Sequence, residues 1–268
     1  MAKAKSKTRI KRILNVFPSV ATEMDWQFEN ALEAEAIAAP PLALPASVDL
    51  RKPWWEIGDQ EATGSCVGWA STDAVARYSF VQAGRLATTA RLSPRFTWMA
   101  SKETDEFTAR PGSFIEEGGT SLKAALDILR KYGAAPEELL PFKLVTTLYP
   151  GREADFYATC ATRKIAAYFN LKKNYANWRS WLAAHGPLLV ALKVDKSWQD
   201  CDSTGKLDVF QPAPRHGGHA VAVVGYRADG RFILRNSWGK TWGDQGFAYA
   251  SEAYIKDAFF DEAYGITL

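Results

Sequence analysis

The sequence predicts an α+β fold with two packed halves. Helix-period apolar patterns dominate up to about residue 160. Beyond it, short apolar runs rich in β-branched and aromatic residues take over, and turn residues such as Asp229-Gly230 separate them. Helices first and strands later, without regular alternation, is the order of an α+β chain.

The 268 residues suffice for one large domain or two of ordinary size. The expected division is an N-terminal extension over 1–44, a helical half over 45–160 and a β-rich half over 161–268. A hydrophobic content of 47% supplies a core, and no run of eighteen apolar residues offers a transmembrane helix. The net charge of +3 gives no reason to propose nucleic acid as a partner. A monomer without membrane attachment is expected.

The extension is basic first and acidic second. Lys3, Lys5, Lys7, Arg9, Lys11 and Arg12 precede the first acid, Glu23, and Asp25, Glu29, Glu33 and Glu35 follow. A transit peptide has this texture, but a solvated basic tail is the simpler reading. Ile13 to Val20 is short, broken by Pro18 and without a small-residue cleavage site, so it does not fit a secretory signal. A cytoplasmic location and export without a clear signal peptide both remain open. Trp26, Phe28 and Leu32 suggest a short helix, and the prolines at 40, 41 and 45 then force an extended strip.

Turn residues and two tryptophans, Trp54 and Trp55, lead to Thr63-Gly64-Ser65-Cys66-Val67-Gly68-Trp69-Ala70. Val67, Ala70, Ala74 and Tyr78 recur at helical spacing, which predicts a helix with one buried face. Cys66 then sits in the first turn, where free N–H groups and the helix dipole favour an anion such as a thiolate. On this stretch alone a buried structural cysteine is an equal reading.

Pro94 opens a second helix ending near Lys102, and residues 103–119 form a loop. Ser121 to Tyr132 is the clearest helix, with Leu122, Ala125, Leu126 and Leu129 on one face and Gly133 as its stop. Asn177 to His185 is another, with Trp178, Trp181 and Leu182 on one face and Gly186-Pro187 ending it. The strands expected are Leu188 to Val194, His219 to Tyr226, Arg231 to Arg235 and Gly246 to Ala250. Cys66, Cys160 and Cys201 are too few for a disulfide framework, although one Cys160–Cys201 bridge stays open.

If Cys66 is a nucleophile it needs a base, a group to orient that base, and oxyanion donors. Of the three histidines, His185 caps a helix end and His216 belongs to a loop, while His219 leads directly into a strand. Asn236 ends another strand, from which its side-chain carbonyl can accept a bond from an imidazole.

These residues together resemble the papain-like cysteine peptidases. The match runs from Pro45-Ala46-Ser47-Val48-Asp49-Leu50-Arg51 to about Tyr249. Gln60, Cys66, His219 and Asn236 stand in the family's order, the last within Asn236-Ser237-Trp238-Gly239. The resemblance implies a helical domain and an antiparallel β-barrel-like domain with a cleft between them, and no metal or cofactor. It implies Cys66 as nucleophile, His219 as its ion-pair partner and general acid, and Asn236 as the group orienting His219. The Gln60 amide and the Cys66 N–H would bind the oxyanion, and Trp238 would shield the Asn236–His219 bond. Gly118 and Gly119, within Glu117-Gly118-Gly119-Thr120, would pair with the substrate backbone. Ala191 and Gly217 would line the pocket for the second residue before the cut, favouring a bulky apolar side chain. In papain the His-paired cysteine has a pKa of about 3–4 against about 8.5 for a free one.

The chain also departs from the family. Val67 replaces the usual aromatic, and Thr63 and Glu116 stand where half-cystines are usual, as in a bacterial-type branch without those bridges. The extension over 1–44 is too short for the family's helical propeptide. It is expected to be a short pro-region across the cleft, a permanent part restricting it, or a targeting tail. The function expected is endopeptidase action on peptides or proteins through a thioester. A catalytically silent interaction protein and an acyl or glutamyl transferase are the alternatives.

Overall fold

The computed structural model describes residues 11–104, 114–143, 151–212 and 217–268. The basic run from Lys3 to Arg9, the middle of the 103–119 loop, and His216 lie outside them.

Helices open the chain. After α1 (Phe28–Glu33) and a two-residue strand β1 (Val48–Asp49), α2 begins at Cys66 (Cys66–Gly68). It continues without a break through a π-wound stretch, Trp69–Ala76, into α3 (Arg77–Gln82). Cys66 thus occupies the first turn, as the spacing predicts. The expectation of a single buried face is corrected, because every side chain from Cys66 to Tyr78 is buried. The reason is position: this rod lies between the sheet and two further helices, α4 (Pro94–Thr104) and α5 (Leu122–Lys131). Pro94 opens α4 as expected, and Ser121 caps α5 by accepting from the Ala124 N–H. Gly133 ends α5 at φ +91°, a conformation natural to glycine.

The second half contains α6 (Glu153–Ala161), β2 (Ala167–Asn170), α7 (Tyr175–Ala184), β3 (Leu188–Val194), α8 (Lys196–Gln199) and β4 (Lys206–Leu207). It closes with β5 (Gly217–Tyr226), β6 (Phe232–Arg235), β7 (Phe247–Ala250), α9 (Glu252–Ala258) and β8 (Phe259–Thr267). Among the described residues eight strands make one sheet, ordered β2-β8-β3-β5-β6-β7-β4, with β1 also paired to β5. The pairs are antiparallel apart from β4 with β7. The α+β fold with an antiparallel sheet in this half is as expected, and the sheet is not closed, since its edge strands β2 and β4 do not pair with each other among the described residues. β8, in the region left unassigned by the sequence, lies inside the sheet between β2 and β3.

Strand periodicity sorts the core onto two faces. Val190, Leu192, Val221 and Val223 join Trp178, Trp181 and Tyr254 on one face. Leu189, Ala191, Ala220 and Ala222 meet Cys66, Val67 and Ala74 on the other. Both faces are covered, which explains why β3 and β5 read as continuous apolar runs. The alanines on the second face let the Cys66 rod approach the sheet closely.

Phe28, Ala31 and Ile37 are buried with Trp181 in the first cluster. The middle of the extension is therefore core of the strand-rich half. All three cysteines are free thiols.

Candidate active site

Cys66 is fully buried. Burial pushes its thiol up to about 11, against the backbone N–H groups of Ala220, Val67 and Cys66 itself, which pull it down. The Ala220 contact sets the sulfur beside the residue that follows His219. Where half-cystines would join the two loops, the Gly64 N–H donates to Glu116 O at 2.8 Å, and Arg95 pairs with the Glu116 carboxylate at 2.7 Å.

His219 projects from β5 and Asn236 follows the last residue of β6. His219 Nε2 and Asn236 Oδ1 are 2.7 Å apart, so Nε2 carries the proton and donates. Nδ1 is buried and has no hydrogen-bond partner among the described residues. Trp238 lies 4.9 Å from the imidazole ring, and Trp198 meets it edge-on at 5.4 Å. Burial drives His219 down to about 4; the Asn236 bond opposes this and the Arg12 charge adds to it. In this closed arrangement burial favours the neutral form of each group.

Gln60 is buried, and Ser237 Oγ donates to its Oε1 at 2.8 Å. That bond turns Nε2 toward the cleft, where it donates to Thr63 O at 2.9 Å and reaches Ile13 O at 3.5 Å. Gln60, Cys66, His219 and Asn236 therefore converge, although they span 177 positions between Gln60 and Ser237.

The cleft above them is filled by residues 12–17 of the same chain. The Arg12 guanidinium pairs with Asp59, donates to Trp238 O at 3.1 Å, and lies 5.7 Å from the Trp238 ring. Asn15 donates to Glu117 O. The Val16 N–H donates to Gly218 O at 3.2 Å, and the Phe17 N–H to Thr120 O at 3.3 Å. A Cβ on Gly119 would overlap the Asn15 carbonyl, and one on Gly217 would overlap that of Leu14. Gly118 meets Lys102 and the Ile115 carbonyl rather than the strap, and Ala191 is fully buried in the cluster shared by Cys66 and Val16.

Beyond the cleft the strap is tied down. The Ser19 N–H donates to Glu262 Oε1 at 3.0 Å. Asp25 takes Lys123 at 2.5 Å, the Tyr264 hydroxyl at 2.7 Å and the Asn170 amide at 3.2 Å. His185 lies tilted against Trp181, ring centroids 4.6 Å apart, and takes no part in the cleft. Trp198, Ser237 and Glu262 were not singled out from the sequence. Ser237 had a signal, since it adjoins Asn236, whereas a tryptophan in a four-residue helix and an acid in an apolar strand had none.

Residues 44–258 match the family profile described as papain family cysteine protease. Cathepsin B-like CP2 of Giardia intestinalis is 27% identical over 82% of this chain and 75% of its own length. Other curated relatives are longer, and the chain spans 56% and 60% of two of them. Xylellain, a cysteine protease from Xylella fastidiosa, shares the fold with a TM-score of 0.75 and 23% identity, over 98% of this chain and 99% of its own. Digestive procathepsin L 3 of Tenebrio molitor gives 0.64 and 19%, over 94% and 76%.

Proposed function

The chain belongs to the papain family of cysteine proteases, and on that premise we propose that it is a monomeric cysteine endopeptidase held latent by its own N-terminal strap. The observation that carries this reading is the convergence of Gln60, Cys66, His219 and Asn236 directly beneath residues 12–17. The helical half, 45–160, contributes Gln60 and Cys66, and the strand-rich half, 161–268, contributes His219 and Asn236.

With the strap lifted, water and substrate reach the thiol and the desolvation that holds both groups neutral is relieved. The Cys66 proton passes to His219 Nδ1, the nitrogen left without a partner. The Asn236 bond at Nε2 keeps the ring in the orientation that receives it. The thiolate adds to the scissile carbonyl, and its oxygen takes hydrogen bonds from Gln60 Nε2 and the Cys66 N–H. His219 returns the proton to the leaving amine, giving a thioester that water then hydrolyses. Trp238 keeps water from the His219–Asn236 bond.

Within the strap it is the Ile13 carbonyl that reaches the Gln60 amide, at 3.5 Å, the outer limit of a hydrogen bond. Gly118 and Gly119 then receive the substrate backbone, Gly119 on the side the Asn15 carbonyl now covers, which a Cβ there would close. Ala191 and Gly217 are the small walls of a pocket for a bulky apolar side chain at the second position before the cut. Leu14, which packs against the apolar core beside Gly217, supports that preference.

The test is active-site titration with a cleft-directed epoxide alongside a fluorogenic dipeptide substrate. One-to-one labelling of Cys66 that abolishes hydrolysis supports the reading. Labelling without any hydrolysis, or with transfer to an added amine in place of hydrolysis, overturns it.

A further inference from the structure

We propose that Arg235 is a positioning residue for this reaction, fixing Asn236, and through it His219, relative to the helix that carries Cys66. The proposal rests on the reading of those three residues as catalytic.

Arg235 is the last residue of β6 and is fully buried. Ile233, two residues earlier on the same face, belongs to the cluster that contains Cys66. The Arg235 side chain therefore points at the nucleophile's helix, and Asn236, one step further, turns to His219. The Arg235 guanidinium donates to Asp73 Oδ2 at 2.8 Å and to Glu56 O at 2.5 Å, and it stacks 4.8 Å from the Trp55 ring. Asp73 lies on the π-wound stretch that follows Cys66 and has no exposed surface. Winding of this kind re-aims side chains within a helix and recurs at functional sites.

Asp73 is itself immobilised. Arg91 donates to its other oxygen at 2.9 Å, Arg77 lies at 3.6 Å, and the Trp55 indole N–H donates to its carbonyl at 3.0 Å. The catalytic strand end is thus clamped to the nucleophile's helix through one guanidinium nitrogen, Nη2, shared between Asp73 Oδ2 and Glu56 O. Stability gives no obvious reason for this buried clamp. Burial lowers the pKa of Arg235, and its Nε has no partner among the described residues. A buried ion pair is commonly no more stabilising than apolar residues of the same shape. Asp73 would keep Arg77 and Arg91 at Oδ1 without Arg235, so Arg235→Met leaves its charge paired.

The experiment uses full-length protein with labelled histidine. It measures the exchange lifetime of the His219 Nε2 proton by NMR, with the thermal midpoint recorded in parallel. The wild type is expected to hold this proton longest. Arg235→Lys, which keeps the charge but loses the planar guanidinium held over Trp55, shortens the lifetime at least about threefold, and Arg235→Met at least about tenfold. Read in full-length protein that also carries Arg12→Ala, which frees the strap from Asp59, the loss of hydrolysis falls on kcat, by ~10–100-fold for a displacement near 1 Å, with KM within about twofold. Lifetimes within twofold of wild type in the folded variants overturn the proposal, whatever happens to the midpoint. Should Arg235→Met fail to fold, Arg235→Lys decides. Absence of peptidase activity both in the wild type and in full-length Arg12→Ala, whose strap has lost its pair with Asp59, would fail the functional reading, while the lifetimes would still read the clamp.

Discussion

Gln60 and Ser237 are joined twice: the Ser237 hydroxyl donates to Gln60 Oε1 at 2.8 Å, and the Gln60 N–H donates to Ser237 O, also at 2.8 Å. The double link fixes which end of the amide faces the cleft. Gln60→Ala is expected to lower kcat by about 10²–10³, the usual cost of one oxyanion donor. Ser237→Ala frees the amide to rotate, at about the worth of one net hydrogen bond, 0.5–1.5 kcal/mol. Steady-state kinetics with circular dichroism as a folding control reads both. An unchanged kcat in Gln60→Ala contradicts the assignment.

The strap is held in the cleft mainly by polar groups at its two ends. Arg12→Ala removes the Asp59 pair and the donor to Trp238 O. Full-length Arg12→Ala is therefore expected to hydrolyse peptide faster than full-length wild type. Gly119→Ala drives a methyl into the Asn15 carbonyl, so it expels the strap while raising KM for substrates that use the same track. Equal rates for Arg12→Ala and wild type would remove the latch.

Only part of the extension is removable. Cutting after residue 20 takes away the cleft-filling strap but leaves Phe28, Ala31 and Ile37 in the core. Cutting at 44 strips them out. The shorter truncation is expected to gain activity with little change in thermal midpoint, and the longer one to unfold readily. Phe28→Ala alone should cost about 3–5 kcal/mol in denaturant titration. Equal stability of the two truncations would show that this part of the extension is dispensable.

Acid pH acts on the closed form with two opposed signs. Burial holds His219 at about 4, below its ordinary 6.5. Unfolded or opened protein therefore binds the extra proton between those values. This contribution to stability is whole above about pH 6.5 and is lost as the pH falls toward 4, at up to about 1.4 kcal/mol per pH unit. Burial raises Glu262, with bonds from Ser19 opposing. The closed form therefore holds that proton more readily and gains stability as the pH falls. Glu262→Gln removes the opposing contribution, so its thermal midpoint should drop more steeply than wild type between pH 7 and 4.5. A shallower drop contradicts this balance.

Much of this was legible in the residues, because local chemistry carried it. Pro94, Ser121 and Gly133 mark helix ends whatever surrounds them, and the apolar runs of β3 and β5 required a sheet covered on both faces. The order of Gln60, Cys66, His219 and Asn236 was enough to nominate the site. What could not be read depends on distant partners. The ordinary helical spacing of Val67, Ala70, Ala74 and Tyr78 hides the π winding, which accompanies the burial of Asp73 against Arg235, 162 positions away. β8 lacks plain alternation because Asp261 and Glu262 interrupt it, and Glu262 is accommodated by the Ser19 N–H. The two roles of the extension were also invisible, since a basic run and a short amphipathic helix do not reveal the cleft or the core that receives them.

The central claim is that Cys66 is a nucleophile silenced by the strap, and its alkylation rate measures this most directly. Iodoacetamide modification of Cys66 is to be followed from pH 5 to 11 in full-length protein and in protein cut after residue 20, with modified peptides identified by mass. In the full-length protein the thiol should stay unreactive until near pH 11, where burial has set it. The cut protein should react rapidly below pH 7, as a thiolate paired with His219 does, and its loss of peptidase activity should track the modification. Identical profiles for the two proteins, or a cut protein whose Cys66 still titrates near pH 11, would contradict the account.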